Sequence, residues 1–168
     1  EKDRYLTMDE LLAFSRSFAA PIGKGFLEIA GEGDADMMAT EGLCMALHLL
    51  QIIQQVRQDY LVRQRIYLPK HWLEEAGVSE KVLSKRETGP KLRQVFEQCY
   101  EETEKQFQRA AGLPASLQNR KLRAEVKKIL AMQTELLKLI QKNDPMKGRV
   151  RLSTLDKFLA GLLGKVAY

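Results

Sequence analysis

The chain has 168 residues, 45% of them apolar and 29% charged, with a net charge of +5. That is enough sequence for one domain with a core that needs no disulfide staples. No apolar run reaches the roughly 18 residues of a membrane span, and the basic residues are spread among acidic ones rather than gathered into a nucleic-acid patch.

Strand signals are nearly absent, and the chain reads as helices punctuated by Gly, Pro and Asn. Thr7 followed by Glu10 is a capping box that opens a first helix over 7–30. Leu11, Leu12, Phe14, Phe18, Ile22, Phe26 and Ile29 recur along it at helical spacing. Pro21 inside that run predicts a kink. Asp34 or Asp36 caps a second helix over 36–61. Between Leu43 and Val56 this helix is apolar almost all round, the pattern of a helix surrounded by others. One polar line interrupts it: His48, Gln51, Gln55 and Asp59, whose spacing places them on one face. Such a line must meet a polar partner or a cavity, because unpaired buried amides are costly.

Tyr67-Leu68-Pro69 breaks the pattern. Short helical pieces follow over 70–76 and from Ser79. Gly89-Pro90 opens a long helix to 111, with Leu92, Val95, Phe96, Cys99, Tyr100 and Phe107 facing inward. Gly112-Leu113-Pro114 stops it, and a further helix spans 117–142. Ser153 caps a last helix to 163. With no linker or repeat, residues 1–168 read as a single domain.

Metal-ligand spacings are missing: there is no Cys-x-x-Cys and no His-Glu-x-x-His, and the two histidines, His48 and His71, are unpaired in the pattern. No helix-turn-helix signature or aromatic-basic interleaving suggests nucleic acid, so none is expected as a partner. Cys44 and Cys99 lie in apolar helical stretches and read as buried free thiols in a reducing, cytoplasmic setting, with a disulfide between them as the alternative. Met37, Met38, Met45 and Met132 read as core filler.

The stretch Gln51 to Pro69, Gln-Ile-Ile-Gln-Gln-Val-Arg-Gln-Asp-Tyr-Leu-Val-Arg-Gln-Arg-Ile-Tyr-Leu-Pro, resembles the second aspartate-rich motif of the squalene/phytoene synthase family. That motif reads Asn-Ile-x-Arg-Asp-x-x-x-Asp followed by Gly-Arg-x-Tyr-Leu-Pro. Gln51 takes the Asn place, Gln54 the Arg, Gln55 the first Asp and Asp59 the second. Arg65, Tyr67, Leu68 and Pro69 match the end, Gln64 stands at the Gly, and the gap after Asp59 is one residue longer. Arg4-Tyr5-Leu6-Thr7, Gly42-Leu43, Leu73 to Val78, and Arg149-Val150-Arg151-Leu152-Ser153 with Lys157 extend the likeness over the whole chain.

The resemblance implies an all-α helical bundle of the isoprenoid-synthase type, without the family's N-terminal part and its first aspartate-rich motif. The chain starts at Glu1 without a Met, which fits a trimmed or processed piece. It implies a prenyltransferase that joins prenyl diphosphates such as farnesyl diphosphate head to head. Tyr67 is then the catalytic candidate, Gln51, Gln55 and Arg65 the substrate-binding candidates, and Asp59 the metal ligand. Mg²⁺ is the implied cofactor, held through the diphosphate and bound weakly or not at all by this chain alone. The expected partner is a prenyl diphosphate. Peripheral membrane contact is left open, as is a homo-oligomer covering the face that the missing part would occupy.

Plainer readings stand beside these. Asp59 fits an ion-paired surface residue at a fraying helix end, Gln51 and Gln55 a buried amide ladder, and His48 a satisfied core histidine. Arg65 and Tyr67 fit a local stack, and Arg149 and Arg151 surface charges. With Gln at 54, 55 and 64 where the chemistry wants Arg, Asp and Gly, a non-catalytic relative acting as a binding or assembly protein is the alternative. The expectation for the groove is that Gln51, Gln55 and Asp59 line it with His48 at its deeper end.

Overall fold

The computed structural model describes residues 2–154. These are helical apart from turns and one isolated parallel bridge, Arg4 to Ile66. Helix α1 runs Met8–Ile29 and α2 Met37–Gln58, and α2 continues into a π-helical turn, Asp59–Arg63. Then come α3 (Lys70–Glu75), a 3₁₀ turn (Glu80–Ser84), α4 (Pro90–Ala110), α5 (Leu113–Ser116) and α6 (Arg120–Lys142).

Local chemistry sets these boundaries. The Thr7 hydroxyl accepts from the Glu10 amide, while the Glu10 carboxylate reaches back to the Leu6 amide, one residue earlier than in the usual box. Pro21 lies inside α1 on its exposed side, and α1 is assigned as one helix across it. Asp36 caps α2 through the Ala39 amide at 3.0 Å. The helix expected over 117–142 begins at Arg120 instead, because Asn119 accepts from the Lys121 and Leu122 amides and so starts a new helix. Buried Glu32, in the loop between α1 and α2, accepts from the Gln118 and Asn119 amides and ties that loop to the start of α6. The helix expected from Ser153 to 163 lies almost wholly outside the described residues.

Helix α2 sits between α1 and α4, with Met45, Ala46, Leu49, Leu50, Ile52, Ile53 and Val56 buried. Each such large side chain contributes about 1.5–3 kcal/mol by leaving water. From α4, Leu92, Val95, Phe96, Cys99, Tyr100 and Phe107 face the same core. Two glycines let the helices close up. A Cβ on Gly42 would stand 2.9 Å from the Gln106 carbonyl oxygen and 3.1 Å from the Ala110 amide of α4. A Cβ on Gly23 would stand 2.7 Å from Cys44 Sγ.

Two packing expectations need correction. Met38 is 68% exposed and fills no core, because it lies in the first turn of α2, where no neighbouring element covers it. Cys44 is only half-buried, since it lies on the α1 side of α2 rather than on the α4 side; Cys99 is buried, and both are free thiols. The second half of α1 carries a bare apolar stripe: Phe18, Ile22, Phe26 and Ile29 are 58–90% exposed.

Gly42→Ala should lower the unfolding free energy by about 1–3 kcal/mol, because the added methyl meets backbone atoms that cannot swing aside. Gly23→Ala should cost less, since its nearest obstacle is a thiol side chain. Denaturant unfolding of the two variants checks the order.

Candidate functional site

The polar line of α2 opens onto a groove of about 370 Å³ between α2, α1 and the stretch after the π turn. His48, Gln51, Gln55 and Asp59 line it from α2, Phe14 and Phe18 from α1, and Arg63, Arg65 and Tyr67 from the segment beyond. All five site candidates from the sequence therefore meet in one place. Their burial grades along the helix: Gln51 is exposed, Gln55 half-buried and Asp59 only 4% exposed. The deepest member is thus Asp59 rather than His48, which is half-buried.

Asp59 opens a π turn that continues α2. A π turn closes i→i+5 bonds and holds one more residue than an α turn. The turn here spans Asp59–Arg63, and Arg63 forms an ion pair with the Asp59 carboxylate. The turn ends at Gln64 with φ 54° and ψ 30°, a left-handed conformation that glycine adopts at least cost. Arg4 holds this strained corner in place. Its guanidinium donates to the Gln64 carbonyl at 2.7 Å and pairs with both Glu80 oxygens at 3.0 and 3.1 Å. The Glu80 hydrogen bond raises the Arg4 pKa further above its ordinary value. Main-chain bonds from Ile66 to Asp3, Lys70 to Tyr5 and His71 to Leu6 lay the first residues alongside 66–71. That sets the direction of Arg65 and Tyr67.

The groove has two chemically different ends. At one end rings gather: Tyr67 stacks on Tyr5 at 5.8 Å and on Phe14 at 6.4 Å, and Phe14 and Phe18 flank the His48 imidazole at 6.0 and 5.9 Å. The His48 Nδ1 lies 2.9 Å from Ser15 Oγ. Burial pushes the His48 pKa below its ordinary value. At the other end stand Asp59, Arg63 and Arg65, with Arg65 also 3.6 Å from Asp3.

The carboxylate count decides the fit to magnesium. Among the described residues no cluster of three His, Cys, Asp or Glu side chains could hold a metal ion. Asp59 is the groove's one carboxylate, Arg63 already neutralises it, and Gln55 is a poor ligand for a hard cation. The groove residues of this chain do not fit a resident Mg²⁺. Arg63 stands four residues after Asp59, a spacing that itself points to an ion pair. The His48–Ser15 pair carried no signal in the sequence, and Ser15 became a site residue only through the packing of α1 on α2.

Comparison with known proteins places this geometry in context. A family model described as squalene/phytoene synthase matches residues 1–156. The hydroxysqualene synthase of Sinorhizobium fredii (strain NBRC 101917 / NGR234) is 28% identical over 161 residues, covering 96% of this chain and 55% of that protein. That of Rhodopseudomonas palustris (strain ATCC BAA-98 / CGA009) is also 28% identical, over 95% of this chain and 54% of its own length. The chain thus spans about half the length of the curated relatives it matches. Among solved structures, a dehydrosqualene synthase bound to a ligand superposes with a TM-score of 0.85 at 18% identity, over 99% of this chain and 59% of that one. A squalene synthase from Alicyclobacillus acidocaldarius gives 0.76 at 22% identity, over 89% and 56%. At these identities the structural likeness speaks for the all-α isoprenoid-synthase fold.

Two measurements probe the site without substrate. Gln64→Gly should raise stability by up to about 1 kcal/mol, since it relieves a left-handed residue whose cost is roughly 1–2 kcal/mol before the extra chain entropy of glycine is counted. His48 titrates near its ordinary value when unfolded and below it when folded, so at lower pH the unfolded state binds more protons. Stability should therefore fall as pH drops through about 6.5 toward the depressed folded value, and His48→Gln should remove that part of the slope in denaturant melts across pH.

Proposed function

Because the chain belongs to the squalene/phytoene synthase family, we propose that the protein it represents is a prenyltransferase joining two prenyl diphosphates head to head, with farnesyl diphosphate the substrate to test first. The observation that carries this reading is the division of the groove into an aromatic end and a cationic end. A prenyl diphosphate is divided in the same way. Its departing group is a polyanion, which the Arg63 and Arg65 guanidiniums suit by their planar, forked donors. Gln51 and Gln55 add neutral amide donors along the path between the ends. The hydrocarbon lies against Phe14 and Phe18, and the allylic cation left behind is stabilised by the face of Tyr67.

Magnesium enters this reading as an ion that arrives with the diphosphate. Asp59 would be the one carboxylate the groove offers it among the described residues. This reading goes with a cytoplasmic protein. No described helix is long and apolar enough to cross a membrane, while the bare stripe on α1 suits a second copy of the chain or the surface of a bilayer.

A second reading has its own support. Gln55 removes one carboxylate, and the Asp59–Arg63 pair occupies the other. A relative that keeps the fold and binds a partner or lipid without turnover would look the same in these respects.

The deciding experiment uses the complete protein, Mg²⁺ and farnesyl diphosphate, followed by lipid extraction and product analysis. A squalene-type product is expected. Its absence from a folded protein that still binds the substrate favours the second reading.

Titration calorimetry with a non-hydrolysable prenyl diphosphate analogue should resolve the roles. Arg65→Ala should weaken binding by about 1.5–3 kcal/mol, the size of a hydrogen bond to a charged group. Asp59→Asn should weaken only the Mg²⁺-dependent part and Gln55→Asp should strengthen it. This chain alone should show no measurable heat with Mg²⁺ in the absence of diphosphate.

A further inference from the structure

The two nitrogens of the His48 ring have different surroundings. Nδ1 lies 2.9 Å from Oγ of Ser15, a fully buried residue. The same oxygen lies 2.9 Å from the Leu11 carbonyl oxygen. A carbonyl has no proton to give, so the one Ser15 hydroxyl proton must lie between those two oxygens. Turned toward the ring instead, it would leave two lone-pair oxygens facing each other at hydrogen-bond distance. Ser15 therefore accepts from the imidazole, and Nδ1 carries the ring proton. In the neutral ring Nε2 then holds the lone pair. Nε2 has no hydrogen-bond partner among the described residues, and it is not one of the buried side-chain atoms left unpaired. It opens on the groove.

The surroundings keep that lone pair available. Burial lowers the pKa of the ring, so it stays neutral near pH 7. Helix α1 contributes only Phe14 and Phe18 to the groove beside it, and its nearby Arg16 pairs with Glu41. The charged or titratable groups that share the groove are Asp59, Arg63, Arg65 and Tyr67, with Cys44 one turn earlier on α2. None of them is bonded to the imidazole.

We propose that Nε2 of His48 is the proton acceptor of this groove, an inference that rests on the prenyl diphosphate reading above. Joining two prenyl diphosphates breaks their two C–O bonds in turn; each electron pair leaves with its diphosphate, and the first diphosphate released can carry off the proton lost when the first carbocation bonds to the second chain. The carbocation that remains after the new C–C bond has formed must be discharged. Water discharges it by forming a C–O bond and losing an O–H proton. An adjacent C–H discharges it by giving its electron pair to a new C=C bond and losing the proton. Either way one proton departs, and it goes to Nε2. The product imidazolium keeps its Nδ1–H on Ser15, and the cation is flanked by Phe14 and Phe18.

The sequence holds two histidines, so His71→Asn leaves His48 alone to be read. In this background, ¹⁵N NMR should show the Nδ1–H tautomer. Diethyl pyrocarbonate should acylate one imidazole, with a rate that follows a single titration below the ordinary histidine value. An Nε2–H tautomer, or a native protein inert to the reagent, overturns the proposal. In the complete protein, His48→Gln should bind the non-hydrolysable analogue within about twofold of wild type. Its turnover should fall about 100-fold, within the usual range for general acid–base catalysis, and the acidic limb of the pH profile should flatten. Ser15→Ala keeps the ring but removes its Nδ1 acceptor, and should shift that limb with a smaller loss of turnover. If wild type and His48→Gln turn over alike with one pH profile, the proposal falls alone. If wild type forms no product, the prenyl diphosphate reading fails first and the proposal falls with it.

Discussion

The enclosure of α2 governs the rest of this structure. A helix that is apolar on most sides has to be covered on most sides, and α1 and α4 do this at close range because Gly23 and Gly42 present no Cβ to them. The covering cannot be complete. His48, Gln51, Gln55 and Asp59 form a polar line that a dry interface would leave without partners, at a cost of kilocalories for each buried polar group. The line therefore faces an opening, and the groove is the space left where the packing cannot close.

What fills that space chemically depends on a second feature, the π turn that follows α2 at Asp59–Arg63. The π turn keeps Arg63, four residues on, paired with the Asp59 carboxylate and passes the chain to Gln64 in a left-handed conformation. Arg4 and the main-chain bonds from residues 3–6 then hold the stretch that carries Arg65 and Tyr67. One end of the groove thus carries Arg63 and Arg65 beside the single carboxylate of Asp59.

The likeness to squalene-type synthases covers nearly all of this chain and about half of theirs. The bare stripe from Phe18 to Ile29 lies on α1, the helix that also supplies the groove's aromatic wall. An apolar helix face of that kind is stable in water only at a cost that burial would recover. The groove and the stripe are thus neighbouring consequences of one surface.

The sequence by itself determined the helical class, the central place of α2, the inward faces of α2 and α4, and the membership of Gln51, Gln55, Asp59, Arg65 and Tyr67 in one region. Periodicity and a local motif carry that information, because side chains three or four apart on a helix must share a face. Tertiary structure decided what no local pattern encodes. The π turn at Asp59–Arg63 and the near-complete burial of Asp59 had no local signature. The His48 tautomer came from a serine 33 residues away in sequence, fixed by the packing of α1 on α2. Met38 and the Phe18–Ile29 stripe read as core from their hydrophobicity alone, yet lie exposed. Hydrophobicity says that a side chain prefers burial, and only the arrangement of neighbours says whether burial is supplied.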